Sequence, residues 1–176
     1  MPNWCSGNIR FRGKLDDILE LLRQNLMYCR YTDNHETVSE PAKVYHDESY
    51  DEIIVASPFE NGNKGWCYIA GTHRNFLDLE SNSDFWSSAL YIPENDKEPS
   101  VVVFDNFQAA WSIEPEPYVE MSKEFGVDIK IFGWEQGIGF DQEIEITNGR
   151  LTRNQTNEYK DYADWMWNTA LPYMGG

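Results

Sequence analysis

Six side chains in this chain carry the soft or borderline donors that transition metals favour: Cys5, Cys29, Cys67, His35, His46 and His73. No two of them stand at Cys-x2-Cys or His-x3-His spacing, so a zinc site would need the fold to gather distant segments. Cys5 and Cys67 both adjoin stretches of strand character that could pair; otherwise they are small core thiols. His46, Asp47, Glu48, Asp51 and Glu52 could collect a hard cation, although charge runs of this kind are usually solvated faces. Gly133, Gly137 and Gly139 invite comparison with a phosphate cradle. The Lys-Ser/Thr end and the following helix are missing, and Glu135 places a negative charge inside, so a structural turn is expected. Ser112 has no nucleophile-elbow context and no histidine nearby in sequence. Glu114, Glu116, Glu135 and Asp141 could offer a carboxylate pair, but an acidic chain yields such pairs by chance. No catalytic residue, metal or cofactor is therefore assigned. A small metal-dependent domain or enzyme, its site assembled from distant Cys, His and acidic residues, stands as the alternative reading.

Trp66, Trp86, Trp111, Trp134, Trp165 and Trp167 could stack bases, as aromatic side chains on four-stranded sheets do in RNA-binding modules. The peptide patterns of those modules are absent, and these tryptophans are read as core, with one or two at an interface.

Charge is the stronger signal. Lys and Arg number 14 against 30 Asp and Glu, a net charge of −16 with neutral histidines. Such a field repels phosphate backbones and favours basic partners. Direct nucleic-acid binding is disfavoured, and a basic host protein whose own task is to bind nucleic acid is the expected partner. Asp47, Glu48, Asp51 and Glu52, with Glu94, Asp96 and Glu98, are the expected contact residues. The odd number of cysteines fits a reducing compartment. Met1 runs directly into Pro2-Asn3-Trp4 without a basic-then-apolar leader, and no run of about 18 apolar residues could span a bilayer. A cytoplasmic protein with no membrane contact is expected.

A single domain over 1–176 must position these residues, and 41% hydrophobic content lets it bury one sizeable core. Ile9 and Phe11 alternate with Arg10 and Arg12 as a first strand. Leu15, Ile18, Leu19, Leu22 and Leu26 recur at helical spacing, with Asp16 and Asp17 at the start and Arg23 near the end, where the dipole favours them. From Tyr31 to Gly65 the pattern loosens into an acidic insertion with a short strand at Ile53–Val55, punctuated by Pro41, Pro58, Gly62 and Gly65. Trp66–Ala70 is the next strand. Residues 84–92 fit a short helix or a strand equally.

The densest signals run from Ser100 to Phe140. Val101–Phe104 is a buried strand, Pro115 and Pro117 open a helix carrying Tyr118, Met121, Ser122 and Phe125, and Gly126 stops it. Val127, Ile129 and Ile131 alternate as a further strand. Phe140, Gln142, Ile144 and Ile146 share one strand face, and Asn148-Gly149 supplies a type I′ turn, giving a hairpin over 140–153. A C-terminal helix over 155–171 follows, with Tyr159, Tyr162, Ala163, Met166, Trp167 and Ala170 on one side. Strand–helix–strand thus occurs twice, the order of a ferredoxin-like split βαβ sandwich. The expected fold is α+β: an antiparallel four-stranded sheet with helices on one face, an acidic insertion over 31–65, an added hairpin and a C-terminal helix.

Three segments carry a resemblance. Met1-Pro2-Asn3-Trp4-Cys5 before the first strand, Phe104 to Ser112 before the proline-led helix, and Trp134 to Phe140 are similar to segments of the YubB ferredoxin-like family of phages, plasmids and integrated elements. The sequence departs from that pattern at Ile113, where the family has a proline, and at Asp141-Gln142, where it has a glycine. The resemblance implies a fold and a mobile-element setting and brings no activity with it. With the charge, it leads to a functional expectation: a non-enzymatic acidic accessory protein that occupies the basic surface of a host nucleic-acid-binding protein. Inhibition of a defence nuclease by nucleic-acid mimicry, in the manner of an anti-CRISPR protein, is one form of it.

Overall fold

The computed structural model describes residues 3–31, 36–59, 65–77, 85–93 and 99–168, with backbone alone for 85–89. Their elements are β1 (Trp4–Gly13), α1 (Leu15–Asn25), β2 (Leu26–Tyr31), β3 (Thr37–Pro41), β4 (Lys43–Asp47), β5 (Glu52–Ala56), β6 (Gly65–Ile69), β7 (Asn75–Leu77), β8 (Phe85–Tyr91), β9 (Ser100–Ala110), α2 (Glu116–Phe125), β10 (Asp128–Glu135), β11 (Phe140–Thr147), β12 (Arg150–Glu158) and α3 (Tyr162–Asn168). The strands pair antiparallel in the order β12-β11-β10-β1-β9-β7-β6-β2-β3, with β4 and β5 joined to β9 through β8.

This corrects the expected ferredoxin-like sandwich, because the chain builds a much larger β structure. Three of the expected strands do lie side by side as β10, β1 and β9. The strand at Trp66–Ala70 is β6, held away from β9 by β7. Among its described residues the acidic insertion of 31–65 is mostly strand, including all of β3, β4 and β5. The undecided segment 84–92 contains β8, which pairs with both β5 and β9.

One edge of β9 is shared. Val101–Val103 pair with β8, and Phe107–Ala109 pair with β7. The other edge runs along β1 with a bulge: Gly7 faces Phe107 and Ile9 faces Phe104, so β9 carries one extra residue and both phenylalanines point into the core. Because β3 and β4 are a single extended stretch broken only at Ala42, the two branches from β9 meet again there.

α1 packs against β1, β3, β4 and β9. Its apolar spacing turns Ile18, Leu19, Leu21 and Leu22 inward, and it ends where Leu26 becomes extended and begins β2. α2 buries Tyr118, Met121 and Ser122 against the β10–β12 end of the sheet. It stops at Gly126, whose φ of 67° is left-handed and whose N–H donates to the Ser122 carbonyl at 3.0 Å. A continuous core joins the two helices to Ile9, Phe11, Phe104, Phe107, Ile129, Ile131, Ile144 and Ile146.

The C-terminal expectations need two corrections. The hairpin runs past 153 to Glu158, so 155–158 is strand rather than helix. Within α3 the buried side chain is Trp165, while Met166 and Trp167 are exposed; Ala170 lies outside the described residues. Trp165 stacks on Trp134 at 4.1 Å and Tyr162 stacks on it at 5.8 Å, and these contacts, rather than Met166 and Trp167, set the helix face.

Candidate functional site

The expected acidic contact residues separate. Asp47, Glu48, Asp51 and Glu52 sit on the β4–β5 hairpin, with Asp47 opposite Glu52. Its turn is well tied: Asp47 Oδ1 accepts from the Ser49 N–H at 2.9 Å, and the Asp47 carbonyl accepts from the Tyr50 N–H at 3.3 Å. Asp51 adopts a left-handed φ of 50°, with its carboxylate 3.7 Å from His46 Nε2. Glu48 and Asp51 are exposed, and Asp47 and Glu52 are half-buried. Glu94, Asp96 and Glu98 lie outside the described residues.

The fold adds exposed carboxylates outside the expected contact residues. α1 and α2 pack together, and α1 also touches β4. Asp16 and Glu20 on α1, and Glu116, Glu120 and Glu124 on α2, are all exposed. A four-residue repeat advances about 6 Å along a helix, so the α2 glutamates form a ridge. Like charges at this spacing destabilise a helix by about 0.2–0.5 kcal/mol per pair. The Glu-x3-Glu-x3-Glu pattern was the available signal, masked by the apolar stripe that identified α2 as a core helix.

On the opposite sheet face three cations are matched. Arg12 donates to Asp128 Oδ2 from Nε at 3.1 Å and Nη2 at 2.7 Å. Lys130 lies 2.9 Å from Glu143 and 3.7 Å from Glu145, and Arg153 lies 3.0 Å from Glu143.

Further across that face is an open groove of about 370 Å³, lined by Trp4, Tyr31, Trp66, Arg74, Phe76 and Gln108. Strand order places Trp4 and Tyr31 at opposite ends, on β1 and β2, with Gln108, Phe76 and Trp66 between them. Trp4 meets Phe76 edge-on at 5.7 Å, and Tyr31 tilts against Trp66 at 5.1 Å. The Arg74 guanidinium carbon is 5.9 Å from the Trp4 ring centre. Arg74 has a left-handed φ of 58°, and its carbonyl accepts from the Ala110 N–H at 3.2 Å. The tryptophans are thus not mainly core: Trp165 is buried, Trp66 and Trp134 are half-buried, and Trp111 and Trp167 are exposed. The side chain of Trp86 lies outside the described set.

The glycine-rich turn after β10 is closed to phosphate by its own residue. Buried Glu135 accepts the Gly137 N–H at Oε1, 2.7 Å away, and the Ile138 N–H at Oε2. The turn amides that would cradle an anion therefore already hold a carboxylate.

Cys5 and Cys67 do not come together, because β1 pairs with β9 and β10 whereas β6 pairs with β2 and β7. Burial, reinforced by the charges of Glu135 and Asp141, pushes the Cys5 thiol up to about 12. Burial followed by the influence of Cys29 raises Cys67 to about 12 as well. Both are core thiols that stay protonated at neutral pH. Among the described residues no group of three or more His, Cys, Asp and Glu side chains could hold a metal ion. No helix among them is long and apolar enough to cross a membrane.

Compared with protein-family models, curated proteins and solved structures, the chain matches none.

Proposed function

We propose that the chain is a non-enzymatic binding protein whose acidic helical side occupies a basic surface on a nucleic-acid-binding partner. The observation that carries this reading is the exposed ridge of Glu116, Glu120 and Glu124 beside Asp16 and Glu20 of α1. The net charge of −16 supplies long-range attraction, and the ridge supplies a row of exposed charges. The β4–β5 hairpin, which α1 touches through β4, extends the same reading to Glu48 and Asp51. A defence nuclease of the host is one partner of this class, in keeping with the resemblance of Met1–Cys5, Phe104–Ser112 and Trp134–Phe140 to a mobile-element family.

Affinity capture from host lysate at low and moderate salt tests the proposal. It predicts a basic nucleic-acid-binding protein retained at low salt, weakened at moderate salt, and lost when Glu116, Glu120 and Glu124 are all changed to Lys. Recovery of no basic partner at either salt sinks it.

A further inference from the structure

We infer that the groove between Trp4 and Tyr31 binds a single nucleotide, with its base against the aromatic side chains and its phosphate at Arg74. This goes beyond the acidic-face reading and uses the other side of the molecule.

The lining chemistry selects the ligand. Four aromatic side chains line the groove on a sheet surface, the type of side chain on which single-stranded nucleic-acid binders stack bases. Among the described residues, Arg74 is the one charged residue of the lining and no carboxylate lies within ion-pair distance of it. Its guanidinium therefore favours an anionic group, and its planar fork suits phosphate. Gln108 brings an amide able both to donate and to accept, which suits the edge of a base.

Size and charge then choose between one nucleotide and a strand. About 370 Å³ lies near the lower end of small-ligand sites, room for a base with its sugar rather than a polymer. A net charge of −16 opposes a long phosphate backbone. A lone phosphate beside Arg74 is held at contact distance, where the rest of the field is screened beyond about 8 Å at physiological salt. The backbone that carries Arg74 is tied to β9 through the Arg74 carbonyl.

The test titrates the full chain with adenosine 5′-monophosphate, following tryptophan fluorescence and calorimetry, with adenosine, inorganic phosphate and a short oligoadenylate as parallel arms. The expected result is saturable monophosphate binding, weakened about tenfold or more when the phosphate is removed, and no binding of phosphate alone. Arg74→Gln should bring monophosphate affinity down to that of adenosine. Trp66→Ala should weaken both about tenfold. Tyr45→Ala, on the β4–β5 hairpin, should change neither. Thermal melts of each variant separate lost binding from lost fold, and monophosphate protection of Trp66 resonances in the wild-type chain reads the site without any substitution. Failure to saturate, binding indifferent to both groove variants, or unperturbed Trp66 resonances overturns the inference. Tighter binding of the oligoadenylate also overturns it and assigns the groove to single strands.

Discussion

Gln142 holds Ile113 by both backbone groups: its Oε1 accepts the Ile113 N–H at 2.9 Å and its Nε2 donates to the Ile113 carbonyl at 2.9 Å. Only one orientation of the amide satisfies both bonds, so the segment that links β9 to α2 is pinned to β11. Gln142→Glu keeps the acceptor and loses the donor, while Gln142→Ala leaves two buried backbone groups unpaired. Each unpaired group should cost about 1–3 kcal/mol. Urea denaturation should therefore rank wild type above Gln142→Glu and Gln142→Ala, and equal midpoints for all three would show that the clamp is not holding the link.

Met121 tests the placement of α2. It is buried in the core, so Met121→Asp puts an unpaired charge into the helix–sheet contact. The variant should lose cooperative unfolding in a thermal melt, and a variant that still unfolds cooperatively near the wild-type temperature would mean that α2 is wrongly placed.

Much of this region was legible in the sequence because burial and local pattern agree there. Ile9 and Phe11, Ile129 and Ile131, and Ile144 and Ile146 alternate as strands should and are all buried. What the sequence hid falls where pairing overrides composition. β12 is RLTRNQTNE, with almost every side chain exposed and no apolar face to mark a strand, and its register against β11 decides its structure. In β4 the alternation survives, with Val44 buried between exposed Lys43 and Tyr45, but the surrounding carboxylates make it read as loop. Of the candidate contacts, the carboxylates of the β4–β5 hairpin were visible as a charge run, whereas the groove gathers residues from β1, β2, β6, β7 and β9 that no local window joins.

The buried thiols make stability fall at alkaline pH. Cys5 and Cys67 have an ordinary value of 9.0 and are each raised to about 12 in the folded chain. Between those values the unfolded thiols lose protons that the folded ones retain, so stability is full below about pH 9 and declines as pH rises toward 12. The slope is at most about 1.4 kcal/mol per pH unit for each thiol. Chemical denaturation between pH 8 and 11 checks this; Cys67→Ala should flatten the decline, and a slope unchanged by that substitution would remove the thiol from its cause.

α3 meets β10 through a stack of three rings, Trp134, Tyr162 and Trp165. Trp165→Ala removes the ring stacked on Trp134 at 4.1 Å and on Tyr162 at 5.5 Å. Loss of the near-ultraviolet circular dichroism of the stacked pair is expected, with faster amide exchange over 162–168 and little change over β10. Unchanged exchange in α3 would mean that other contacts hold it.

The central position of β1 has a consequence for how the chain comes to fold. Its two neighbours, β9 and β10, are drawn from residues 100–110 and 128–135, so β1 leaves the ribosome and waits for partners made far later. Until then both of its edges are open, and Ile9 and Phe11 lack the strands that flank them in the finished sheet. Long-range pairing of this kind is slow and exposes sticky surface. Biosynthesis, rather than final stability, is thus the stage at which this chain is most vulnerable to aggregation.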